Sequence, residues 1–195
     1  MRFEPTAIAE ARLVRLKAHR DDRGAFARTW CRQTFADAGI DFDFVQANWS
    51  VTRSRGTVRG MHFQRAPHAE SKLVRITRGR VHDVIVDLRA GSPTRGRLHS
   101  LELGEGDDTM LYIPAGVAHG FQTLTDDVTV EYFMGGEPYR PEYYDGFRHD
   151  DPAVAIRWPL PPGPVSDKDL SWPPLAQRFP WLLPAAAPAP ATPAL

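Results

Sequence analysis

The sequence holds one cysteine, three lysines and no net charge. The lone Cys31 excludes an intramolecular disulfide framework. Its 24 Lys and Arg are matched by 24 Asp and Glu, so the basic footprint of a nucleic-acid binder is absent. No 18 apolar residues run together, which excludes a membrane-spanning helix. The opening MRFEPTAIAEARL has scattered charges and no apolar stretch of secretory length. A cytoplasmic protein without nucleic-acid or membrane partners is therefore expected. Glycine-rich loops of the Rossmann or P-loop kind are also missing. The scarcity of lysine has a use of its own. Where arginine is the habitual cation, each of Lys17, Lys72 and Lys168 marks a position where a compact point charge can do what a planar fork cannot.

What is present is strand-like. Residues 44–50 alternate, with Phe44, Gln46 and Asn48 on one face. Residues 58–64, 72–77, 81–88, 98–103, 110–113 and 128–133 are further strand candidates, punctuated by glycines. One helix is expected at 33–38. Many short strands without helical crossovers predict an all-β sandwich or barrel. Twelve of the 18 prolines lie at or after Pro152. Residues 152–174 read as an ordered but irregular tail, and LLPAAAPAPATPAL as a low-complexity end. The expected organisation is one domain over 1–175 and a flexible extension over 176–195.

The layout of His62, His68, Glu70 and His119 suggests a cupin-like jelly roll (a double-stranded β-helix). The His-x-His pair that puts two ligands on one strand face is absent, because Phe63 and Gln64 follow His62. No metal is expected. His62 shares its strand face with Gly60 and Gln64, and is either structural or a base oriented by a carboxylate such as Asp169. Lys72 is in phase with the apolar Val74 and Ile76. It is either a solvent-facing strand start or a cation at a pocket mouth, able to stabilise charge on a substrate oxygen. Tyr132 is in phase with Val128 and Val130, as a core aromatic or as a phenol acid over the same pocket. His119 follows a Pro/Gly turn that can aim it into a barrel mouth. Arg23, Arg59 and Lys168 offer charge to an anion, and Phe26 offers an aromatic surface to a base or sugar.

Ordered blocks along residues 3–175 resemble the dTDP-4-dehydrorhamnose 3,5-epimerase family. They include Asp22-Arg23-Gly24-Ala25-Phe26, Phe44-Val45-Gln46-Ala47-Asn48 and Val58-Arg59-Gly60-Met61-His62-Phe63-Gln64. Lys72-Leu73-Val74-Arg75, Ala118-His119-Gly120-Phe121, Trp158-Pro159 and Ser166-Asp167-Lys168-Asp169 continue the match. The resemblance implies a homodimer of jelly rolls with no cofactor and no metal. It implies His62 as the base, Asp169 as its partner, Lys72 as the cation beside the C4 oxygen and Tyr132 as the acid on the opposite face. It further implies Gln46, Asn48, Arg59, His119, Tyr139 and Lys168 as substrate contacts, and Arg23 and Phe26 as nucleotide contacts.

Three departures qualify the match. Arg28 stands where the family has a Glu that meets the thymine ring, and Arg cannot accept a hydrogen bond, so base specificity is open. The run Phe133-Met134-Gly135-Gly136-Glu137-Pro138-Tyr139 is less polar than the family's, which raises a C3-only epimerase as the alternative. Glu70-Ser71 replaces the usual Gln-Gly, with little effect expected because Lys72 is kept. A metal-dependent cupin and a non-catalytic sugar-binding jelly roll are the remaining readings.

Overall fold

The structure, a computed structural model, describes residues 1–179. Two antiparallel sheets form the body. One has six strands, in the order β1 (Arg2–Pro5), β2 (Arg12–Arg15), β10 (Thr109–Ile113), β7 (Ser71–Arg78), β12 (Val128–Gly135) and β5 (Phe44–Thr52). The other has five, in the order β13 (Tyr144–Gly146), β6 (Val58–Gln64), β11 (Val117–Thr123), β8 (Arg80–Asp87) and β9 (Leu98–Gly104). A separate hairpin pairs β3 (Ala18–Asp21) with β4 (Gly24–Ala27). The helices are short: α1 (Arg32–Asp37), α2 (Asp167–Leu170) and α3 (Leu175–Arg178). Among the described residues no helix is long and apolar enough to cross a membrane. The all-β sandwich of the cupin-like class is as expected.

Strand periodicity explains the layers. On β7, Val74 and Ile76 point between the sheets, while Leu73 points to the outer face. On β8, Ile85 points inward, while Val84 and Val86 point outward. Over these two strands the outer faces are covered as well, so Leu73-Val74 and Val84-Ile85-Val86 are apolar on both faces. Helix α1 covers the six-stranded sheet through Phe35, whose ring meets Phe3 edge-on at 5.1 Å. Val154, Ile156, Trp158 and Leu175 cover the five-stranded sheet. Leu175 is fully buried, and burial of such a side chain is worth about 1.5–3 kcal/mol.

The strands expected from the sequence form, with ends shifted by one or two residues. Strands β1 to β4, β11 and β13 were not among those expectations. Every residue of β11 is buried, so it shows no alternation. It also lies unusually close to β6. A Cβ on Gly120 would sit 2.8 Å from the Arg59 carbonyl oxygen, and one on Gly60 would sit 2.6 Å from the Gly120 Cα. Gly60 also has φ +112°, a conformation open to glycine. This close approach makes His62 and His119 cross-strand partners. The expected boundary after residue 175 falls inside α3, where Phe179 packs on Phe63 at 5.7 Å. Residues 180–195, most of the expected extension, lie outside the described residues.

Candidate active site

A cavity of about 570 Å³ opens between the sheets. The six-stranded sheet contributes Asn48, Ser50, Lys72 and Tyr132 to its wall, and the five-stranded sheet contributes Arg59, His62, His119 and Tyr144. Lys168 and Asp169 of α2 close another side. The inward phase of Lys72 with Val74 and Ile76, and of Tyr132 with Val130, continues the core stripe into this cavity.

His62 and Asp169 are 107 residues apart in sequence and meet at 2.6 Å, Nε2 to Oδ1. Ser166 caps α2 by accepting the Asp169 backbone N–H at 3.1 Å. The second Asp169 oxygen accepts the Gly60 N–H at 3.3 Å. Burial drives the His62 imidazole below its ordinary pKa, and Lys72 and His119 add to this, while Asp169 opposes it. Burial pushes the Asp169 carboxyl up, yet the hydrogen bonds from His62, Gly60 and Ser166 and the His62 charge bring it below the usual range. The pair is therefore a neutral imidazole held by a carboxylate at neutral pH.

The other side chains are equally constrained. Lys72 Nζ lies 3.1 Å from Glu70 Oε1 and donates to the His62 carbonyl at 3.4 Å. Tyr132 has its hydroxyl 3.4 Å from Ser50 Oγ, and burial raises its phenol to about 12. His119 pairs with the buried Asp83 at 2.9 Å. Arg59 donates to Thr52 Oγ1 at 2.9 Å. Gln46 donates to Asn48 at 3.0 Å and accepts the Tyr139 N–H at 3.0 Å, linking three expected contacts at the rim. Lys168 Nζ stands 4.2 Å from the centroid of the Tyr144 ring.

Three expected residues lie away from this cavity, and a fourth, Gln46, reaches it only through Asn48 and Tyr139. Arg23 and Phe26 lie on the β3–β4 hairpin, where Arg23 pairs with Asp21 and Phe26 is 74% exposed. Arg28 lines a separate depression with Lys17, His19 and Phe26. His68, one of the two histidines of the His62–Glu70 segment, is paired with Glu137 at 3.0 Å. Among the described residues no three His, Cys, Asp or Glu side chains group as metal ligands would.

The sequence reading missed three participants. Tyr144 packs its ring 5.1 Å from that of His62, and burial raises its phenol above the ordinary range. It sits in an aperiodic proline-bounded stretch that offers no signal. Asp83 was legible in principle, since a carboxylate inside Val81-His82-Asp83-Val84-Ile85 needs a buried partner. Glu70 was seen as a departure without consequence, whereas it is the ionic partner of Lys72.

The family model for dTDP-4-dehydrorhamnose 3,5-epimerase matches residues 5–177. The chain belongs to this family of isomerases. The dTDP-4-dehydrorhamnose 3,5-epimerase of Sinorhizobium fredii is 43% identical over 182 residues, which is 91% of each chain. The solved dTDP-6-deoxy-D-glucose-3,5-epimerase of Legionella pneumophila, in complex with dTDP-4-keto-L-rhamnose, is 34% identical with a TM-score of 0.85. That match covers 94% of this chain and 97% of the other. A 3'-monoepimerase from Streptomyces bikiniensis, in complex with dTDP-quinovose, is also 34% identical with a TM-score of 0.82. It covers 91% and 90% respectively. The epimerases of this family thus share one sandwich across differing numbers of inverted centres.

Proposed function

We propose that this chain converts dTDP-4-dehydro-6-deoxy-D-glucose to dTDP-4-dehydro-L-rhamnose by inverting C3 and C5. One observation carries the reading: a His–Asp pair and a phenol enter the same cavity from opposite sheets, with a lysine beside them. A proton next to a ketone is only weakly acidic, so a base needs help from a cation at the oxygen. His62 donates through Nε2 to Asp169, which leaves the lone pair on Nδ1 as the basic site. Lys72 meets the negative charge that develops on the C4 oxygen. Tyr132, whose buried phenol carries its proton at neutral pH, returns a proton from the other sheet. Delivery from that side inverts the centre. Asn48, Arg59, His119, Tyr139 and Lys168 hold the sugar and phosphates, with Gln46 bracing Asn48 and Tyr139. The chemistry is acid–base throughout and uses groups of the chain, without metal or cofactor.

The exposed hairpin carrying Arg23 and Phe26 supports a homodimer, in which the hairpin of one protomer reaches the cavity of the other and binds the nucleotide. A nucleotide-sugar substrate agrees with a cytoplasmic setting. Incubation in D₂O, followed by NMR at C3 and C5, tests the reading. Deuterium and inversion at both carbons are expected. Exchange and inversion at C3 alone would instead establish the C3-only alternative. The less polar run after Tyr132 is what keeps that second reading in view, since a monoepimerase shares this fold at 34% identity.

A further inference from the structure

Glu70 lies immediately before β7, with its side chain only 2% exposed. Its Oε1 lies 3.1 Å from Lys72 Nζ, while its Oε2 is shut off from solvent and has no hydrogen-bond partner. Burying a carboxylate with an unpartnered oxygen is costly, and the compensation present is the Lys72 ammonium. The other carboxylate near the base, Asp169, is already engaged by His62 and Gly60. An ammonium has three donors. Here one goes to Glu70 and one to the His62 carbonyl, which leaves one for the cavity.

We infer that Glu70 is a positioning residue, whose buried Oε1 holds the Lys72 ammonium so that its third N–H is presented to the ketone oxygen of the substrate. This rests on the reading of Lys72 given above. Lysine has a flexible four-carbon stem, and a cation that must reorient during the reaction stabilises charge less than one already in place. What the site requires at position 70 is an acceptor oxygen of the right reach. A glutamine can supply that through its amide oxygen, but an apolar side chain of equal length cannot.

Four variants test this in the full-length protein with the dTDP-4-keto-6-deoxyhexose as substrate, with a fifth in reserve. Glu70→Gln should keep kcat within about fivefold, because an acceptor remains. Glu70→Met fills the same space without an acceptor and should lower kcat by about 10- to 100-fold with KM within about threefold, the signature of a misplaced group rather than lost binding. In a Lys72→Met background the Glu70→Met change should add less than about a twofold loss, because its effect runs through the ammonium. A similar loss in both backgrounds, or unchanged kcat in folded Glu70→Met, would overturn the inference. If Glu70→Met does not fold, Glu70→Asp keeps the charge but withdraws the oxygen by one methylene. It should then show a loss in kcat of at least about fivefold, and unchanged kcat there overturns the inference equally. Normal exchange in Lys72→Met alone would remove the reading of Lys72 and this inference with it. Impaired Lys72→Met beside normal Glu70→Met would remove the role of Glu70 only.

Discussion

His62 is pulled two ways, and the balance fixes its pH dependence. Burial lowers its pKa from the ordinary 6.5, while the Asp169 hydrogen bond and charge raise it. The acid limb of kcat/KM should therefore have its midpoint below pH 6.5. Asp169→Asn removes the raising influence, so that limb should move to still lower pH while the plateau falls roughly 10²–10⁴-fold. A limb moving to higher pH would contradict the assigned pairing. His62→Asn should abolish deuterium exchange at the first carbon in a protein that still folds and still binds dTDP. Tyr132 makes a separable prediction. Its phenol, raised to about 12 by burial, stays protonated across the working range. Tyr132→Phe should leave proton abstraction largely intact but slow the appearance of inverted product, most clearly at C5. NMR that follows exchange and inversion in one sample checks both. Equal loss of the two would argue that the hydroxyl serves binding instead. The four principal residues, and Asp169 as the partner of His62, could be named from the sequence through the family resemblance, but the partner of Lys72 was not. No periodicity relates His62 to Asp169, whereas the strand period of two that puts position 70 on the face of Lys72 was there to be read.

Legibility fails at the elements for a different reason. Strands with one polar face, such as β5, announce themselves by alternation. Strand β11 is buried throughout, and its Val-Ala-His-Gly-Phe-Gln-Thr sequence has no period to read. The N-terminal strands are four residues each, too short to stand out. The end of β8 supplies a test of stability. Burial pushes the Asp87 carboxyl up, but hydrogen bonds from Arg89, Ser92 and Thr94 outweigh this and lower it from 3.8 to about 2. The folded protein thus binds this proton less tightly than the unfolded chain does. The stabilisation is complete above about pH 4 and fades as pH falls toward 2. Asp87→Asn should lower the melting temperature at neutral pH and show a shallower loss between pH 4 and 2 than the wild type. Parallel melting curves for the two proteins across that interval would show that Asp87 does not carry the linkage.

The whole molecule divides its labour between a rigid sandwich and a covering segment. The sheets hold His62, Lys72 and Tyr132, and the segment after β13 holds Asp169 and Lys168. The all-β class and the irregular proline-rich tail were both legible. That the tail meets the site could be read only through the family resemblance, because proline-rich sequence does not itself encode what it packs against. The absence of His-x-His leads to an expectation at this scale: activity should survive exhaustive dialysis against a strong chelator. Loss restored by one divalent ion would reinstate the metal-dependent reading. The division of the dyad between β6 and α2 also bears on how the enzyme comes into being. Synthesis runs from the N-terminus, and domains begin to fold in that order. Every strand of both sheets precedes residue 147, so the ribosome delivers His62 and all the strands well before the carboxylate that His62 meets. The His62–Asp169 contact can close only once the chain is made through Asp169 and α2 has docked.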